Sequence, residues 1–136
     1  MSLELTQIER LRMGPAACSV VVGPLPSEAG AYLGAKIPLV YLSRPSLDKI
    51  FLRHPDLNDY DLLMAPYVLD KGTLLTDREP NVLVAYWKSG ANERLYKAVI
   101  KLAVSRYDVW LTAFYRTDEP HVPSLHQRGR TLRQSR

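Results

Sequence analysis

A single cysteine, two phenylalanines and seven glycines in 136 residues put several designs out of reach. Cys18 has no partner for an internal disulfide, so the fold does not depend on an oxidising compartment. It sits in a Pro-Ala-Ala-Cys-Ser run with no evident base nearby and reads as a small apolar filler, not a nucleophile. The glycines make no phosphate-cradling loop, and no nucleophile elbow is present. His54, His121 and His126 and the scattered carboxylates lack metal-ligand spacing. No apolar run approaches the ~20 residues that a membrane helix needs. Glu4 and Glu9 break up the N-terminus, which lacks the charged-then-apolar pattern of a secretion signal. The expectation is a cytoplasmic protein with no cofactor, no metal and no membrane contact.

What is present fits one ordinary domain. Hydrophobic residues make up 46% and charged residues 24%, enough of each for a core without staples and a solvated surface. The net charge of +4 is unevenly placed. The tail from His126 to Arg136 holds Arg128, Arg130, Arg133 and Arg136 and no acid, so residues 1–125 balance at 14 Lys and Arg against 14 Asp and Glu. A polar, basic tail of this kind reads as disordered, with a weak attraction for nucleic-acid phosphates.

Periodicity divides the chain. Leu3, Leu5, Ile8, Leu11 and Met13 predict a short amphipathic helix over residues 2–13, stopped by Gly14-Pro15. Residues 18–36, rich in Gly, Pro, Ala and Ser, read as an arm or linker able to pair as an edge strand or dock on a partner. Ile37 to Leu42 reads as a strand. Ser43 and Pro45 open a helix with the apolar stripe Leu47, Ile50, Phe51 and Leu52, which Pro55 stops just after His54. Tyr60, Leu63, Met64, Tyr67 and Val68 predict a second helix, kinked or split at Pro66. After Gly72 the period becomes two. Strands are expected over residues 73–76, 82–88, 94–104 and 109–116, joined by short polar turns.

Four consecutive strands with short loops usually pair as an antiparallel meander, and two helices in front cover one face. The expected fold is therefore α+β: two helices on one face of a four-stranded antiparallel meander. The expected division is an N-terminal helix and arm (residues 1–36), the α+β domain (37–118) and a disordered basic tail (119–136). Strict alternation puts Val109, Leu111, Ala113 and Tyr115 toward the helices. It leaves Tyr86, Lys88, Lys97, Lys101, Thr112, Phe114 and Arg116 on the bare face. Cations suit phosphates and aromatic rings suit stacked bases, so this face reads as an RNA surface, although a merely solvated sheet face also carries Lys and Arg. His54 lies at a helix C-terminus near its rim, where a histidine is commonly a cap.

The order helix, helix, four strands, with Lys49-Ile-Phe-Leu-Arg-His-Pro55, Tyr60, Tyr86-Trp-Lys88, Val99-Ile-Lys101 and Trp110-Leu-Thr-Ala-Phe114, resembles the phage-associated branch of the barnase/EndoU/colicin/RelE-like nucleases. The resemblance covers roughly Pro38 to Arg116. It implies a metal-independent ribonuclease of the toxin or effector type, delivered by a phage or a secretion system. RNA, tRNA included, would be the substrate, and an immunity or antitoxin protein the partner. In its terms His54 is the acid or base, Lys88, Lys101 and Arg116 stabilise charge, and Thr112 bonds a phosphate oxygen. Lys97 binds RNA, and Tyr86 or Phe114 stacks a base. The chain departs from the family in having no second histidine on the sheet and no barnase-type glutamate. The alternatives are a nucleic-acid-binding or phage-associated domain without catalysis, and an interaction module that docks through its arm.

Overall fold

The computed structural model describes residues 3–135. The expected helix start at Ser2 and the last tail arginine, Arg136, lie outside that range. The elements are α1 (Leu5–Met13), β1 (Ser19–Pro24), α2 (Ser27–Leu33), β2 (Leu39–Ser43), α3 (Arg44–Arg53), α4 (Asp59–Leu62) and α5 (Ala65–Lys71). They continue with β3 (Thr73–Thr76), β4 (Val82–Lys88), β5 (Leu95–Leu102) and β6 (Val109–Thr117). A 3-10 turn (Glu119–His121), α6 (Val122–Arg128) and β7 (Thr131–Arg133) complete the chain.

The helix boundaries follow from local chemistry. The Ser43 hydroxyl accepts from the Ser46 N–H at 3.2 Å, and Pro45 lies in the first turn of α3, where a missing N–H costs little. Asn58 and Asp61 cap α4 reciprocally, each side chain accepting from the other's backbone N–H at 2.9 Å. The second predicted helix is indeed two, α4 and α5, with Pro66 in the first turn of the latter.

The four-stranded meander on two helices is not the architecture found. One seven-stranded mixed sheet runs in the order β1-β2-β6-β5-β4-β3-β7. Strands β6, β5, β4 and β3 are its middle, and β2 pairs with β6 in parallel while every other pairing is antiparallel. The supposed arm supplies both β1 and α2. The glycines and prolines that argued against regular structure sit at its joints: Gly23 at the β1 bulge, Pro24 and Pro26 between strand and helix, and Gly34 as a left-handed C-cap.

The supposed disordered tail is folded too. β7 pairs with β3, and Thr76 exchanges two hydrogen bonds with Arg130 at 2.9 and 2.8 Å. A Cβ at Gly129 would collide with Thr76, so only glycine lets the chain pass this close to β3. The Arg133 side chain is buried and donates to the carbonyl oxygens of Leu69 (2.7 Å) and Gly72 (2.8 Å) at the end of α5. A guanidinium suits this place, where the last helical carbonyls have no backbone partner. Arg130 lies over the Tyr32 ring of α2, 5.5 Å from its centroid. The helix that leaves β1 at one edge of the sheet thus reaches β7 at the other.

Helices α1 to α5 all contribute to the core on one face. Ile8, Leu11, Leu47, Ile50, Val68 and Leu69 meet Leu83, Ala85, Ile100, Leu111 and Phe114 there, all buried. The other face is covered at one end only. Leu125 of α6 packs on Leu75 and Val84, with Tyr86 and Val99 at the margin.

Candidate functional site

Strand β6 carries an extra residue. Val99 of β5 pairs with Ala113, but Ile100 pairs with Leu111, so Thr112 is bulged out of the ladder and its hydroxyl donates to the Val99 carbonyl at 3.3 Å. The bulge reverses the alternation. Val109 and Leu111 face the core before it, and Phe114 faces the core after it, while Ala113 and Tyr115 turn to the other side. The expected outward places of Arg116 and Phe114 are therefore corrected. Arg116 pairs with Tyr96 and leaves the strand on the covered side, at its exposed end. Phe114 is fully buried and stacks on Tyr96, with ring centroids 5.4 Å apart, and cannot take a base.

Tyr115 stands in the place expected of Phe114. Lys97, directly opposite it on β5, donates to its hydroxyl at 2.7 Å. Tyr86 lies across from Lys97 on β4. Its hydroxyl is 2.7 Å from His126 Nε2 of α6. β2 pairs with β6 only at Val109 and Trp110, which leaves the second half of β6 open on that side. The turn after α3 comes to this half, and the half-buried His54 ring stacks on Tyr115 at 4.6 Å with an 18° interplanar angle.

Lys97 and Tyr115 line a cavity of about 580 Å³ between the sheet, the α3–α4 turn and the folded tail, with His54 and Tyr86 beside it. Lys97, Arg116 and Arg128 line it against the carboxylates of Asp56 and Asp118, and His121 joins them. His121 Nε2 lies 3.6 Å from Asp118 Oδ1. The cavity can hold an anionic oxygen among three cations and offers groups able to carry a proton. Among the described residues no group of three or more His, Cys, Asp or Glu is placed to hold a metal ion.

Of the expected residues, Lys97 and Arg116 thus line the cavity, while His54 stacks on Tyr115 and Tyr86 stands across from Lys97. Lys88 is close by, 3.9 Å from Glu119 and on a second hollow that Arg116 also lines. Lys101 does not join them. It is exposed at the far end of the face, opposite Trp110. Asp56, Tyr115, His121 and Arg128 were not foreseen. Tyr115 had a signal, since a phenol seeks a wet edge and a phenyl ring does not, and that favours Phe114 for the core. Asp56, His121 and Arg128 had none, because each comes from a loop or from the tail.

The shifted pKa values lie elsewhere, on the covered face. Asp61, on α4, is buried, and burial opposes its charge. Hydrogen bonds from Tyr96 (2.5 Å), the Asn58 N–H (2.9 Å) and Arg94 (2.6 Å) outweigh this and hold its carboxyl below the usual range. Burial first, and the bond to Asp61 second, push the Tyr96 phenol up. This trio ties α4 to β5 and its immediate approach, and Asp61 and Tyr96 are buried away from the cavity, so it reads as a structural lock.

Comparison with family models, with curated proteins and with solved structures gives no match. Among the described residues no helix is long and apolar enough to cross a membrane.

Proposed function

We propose that this chain is a metal-independent endoribonuclease whose site is the cavity between β5, β6 and the folded tail. The observation that carries the reading is the assembly of Lys97, Tyr115, Arg116 and Arg128 with two imidazoles from separate parts of the chain. The resemblance lacked a second histidine on the sheet, and His121 comes to the cavity from the tail.

The chemistry is transesterification. The ribose 2′-oxygen bonds to phosphorus as the bond to the 5′-oxygen breaks, leaving a 2′,3′-cyclic phosphate and a 5′-hydroxyl. His54 takes the 2′-OH proton, and His121 gives one to the departing 5′-oxygen. Lys97, Arg116 and Arg128 hold the charge that grows on the non-bridging oxygens. Tyr86 is the aromatic surface for a base. Asp118 orients His121, and Tyr115 orients both Lys97 and His54. An immunity protein of the toxin type would act by covering this mouth.

The test is incubation of the purified chain with single-stranded RNA in EDTA. Products ending in 2′,3′-cyclic phosphate are expected. Salt-sensitive RNA binding without products, or cleavage that needs added Mg²⁺, contradicts the reading.

A further inference from the structure

The far end of the same sheet face carries a second group that the cavity does not use. Tyr41 of β2 and Trp110 of β6 are cross-strand neighbours with ring centroids 5.5 Å apart. Both rings are half-buried, and neither belongs to the two buried hydrophobic clusters or to the residues packed against them. Trp110 Nε1 donates to Asp108 Oδ2 at 2.7 Å, which fixes the indole in place. Lys101, exposed, sits directly across from Trp110 on β5. Lys97 and Lys101 are on one side of β5, four residues apart, or about 13 Å along the strand. The bulge lies on β6, so it does not disturb that alignment.

A fixed aromatic pair beside an exposed ammonium, in line with a cationic cavity, is the arrangement that holds a flexible polyanion with flat rings. We infer that Tyr41, Trp110 and Lys101 form a stacking subsite for single-stranded RNA, taking a base a few nucleotides from the bond held at Lys97. The inference rests on the ribonuclease reading for the identity of the chain that runs between the two points. The pinned indole loses little freedom on binding, which favours a stacked base over adventitious contact. The subsite adds affinity for longer RNA and leaves the chemistry at the cavity alone. Long substrates should therefore be bound better than dinucleotides.

The probe is a 2′-O-methyl octauridylate, which cannot be cleaved by 2′-OH attack, titrated into the full chain. Trp110→Ala should weaken its binding about tenfold, as expected for one lost base–aromatic stack. Trp110→Phe should keep most of the affinity but lose the tryptophan quenching that accompanies binding, and it stands in if the alanine variant fails to fold. Cleavage of the dinucleotide UpU should be unchanged in both. Octamer affinity that is indifferent to Trp110, quenching that persists in Trp110→Phe, or no octamer binding at all overturns the subsite. Binding through Trp110 by a chain that cuts no RNA would keep the subsite and end the ribonuclease reading. Cleavage by a chain whose Trp110 variants bind normally would do the reverse.

Discussion

Phe114 and Tyr115 are neighbours in one strand, and they face two different solvents. Phe114 lies in a core to which five helices contribute, wholly dry, stacked on Tyr96. Tyr115 faces a cavity, with a histidine on its ring and a lysine on its hydroxyl. On the covered side polar groups are few and fully tied, as Asp61 is by Tyr96, Arg94 and the Asn58 N–H. On the other side arginines and histidines stand exposed around a hollow. The lesson is a division of labour: one face makes the protein stable, and the other spends little on stability and so is free to carry charge.

That division predicts where substitutions hurt. Phe114→Ala should cost about 3–5 kcal/mol, the usual range for emptying an aromatic core site. Tyr115→Ala should cost far less, yet remove most cleavage. Urea midpoints set against RNA cleavage rates check the pair, and equal losses of stability would break the comparison.

The tail is the next discriminator. Arg133→Ala strands two buried carbonyls at the end of α5 and should cost about 1–3 kcal/mol. It should also impair cleavage, because His121 and Arg128 reach the cavity on the same segment. Proteolysis of the last fifteen or so residues, faster in the variant, is the readout.

The Asp61 lock sharpens the account through pH. Its carboxyl is held below the ordinary value, so its contribution is complete above about pH 4 and is lost as pH falls through the folded-state value. Asp61→Asn should be the less stable protein near neutrality and should show a shallower loss in acid. Urea titrations at about pH 7 and about pH 3 decide it. Least affected should be Lys88→Ala. Its pairing with Glu119 is exposed on both sides, and the change in stability should stay within about 1 kcal/mol.

Much of this was legible in the chain. The opening at Ser43 and Pro45, the break at Pro66 and the period change after Gly72 are local signals, and the elements form where they fall. Three features were not legible, each because a partner distant in sequence decides it. The arm becomes strand and helix since β2 offers β1 a neighbour and the core takes Ala29 and Leu33. The tail folds although it is basic, because Arg133 meets open carbonyls and Leu125 finds Leu75 and Val84. The Thr112 bulge exchanges the faces expected of Phe114, Tyr115 and Arg116, and strict alternation cannot foresee an extra residue. Of the expected site residues, Lys97 and Arg116 line the cavity and His54 and Tyr86 lie beside it, whereas Phe114 is buried in the core and Lys101 lies apart from it.

The claim that the half-open face is the working one is tested most directly by Lys97→Ala. RNA cleavage in EDTA and the urea midpoint are measured on the same preparation. The account predicts a stability change within about 1.5 kcal/mol, one hydrogen bond's worth, and a fall in cleavage of about a hundredfold or more. Cleavage that survives the substitution, or a wild-type chain that leaves RNA intact in EDTA, would contradict it.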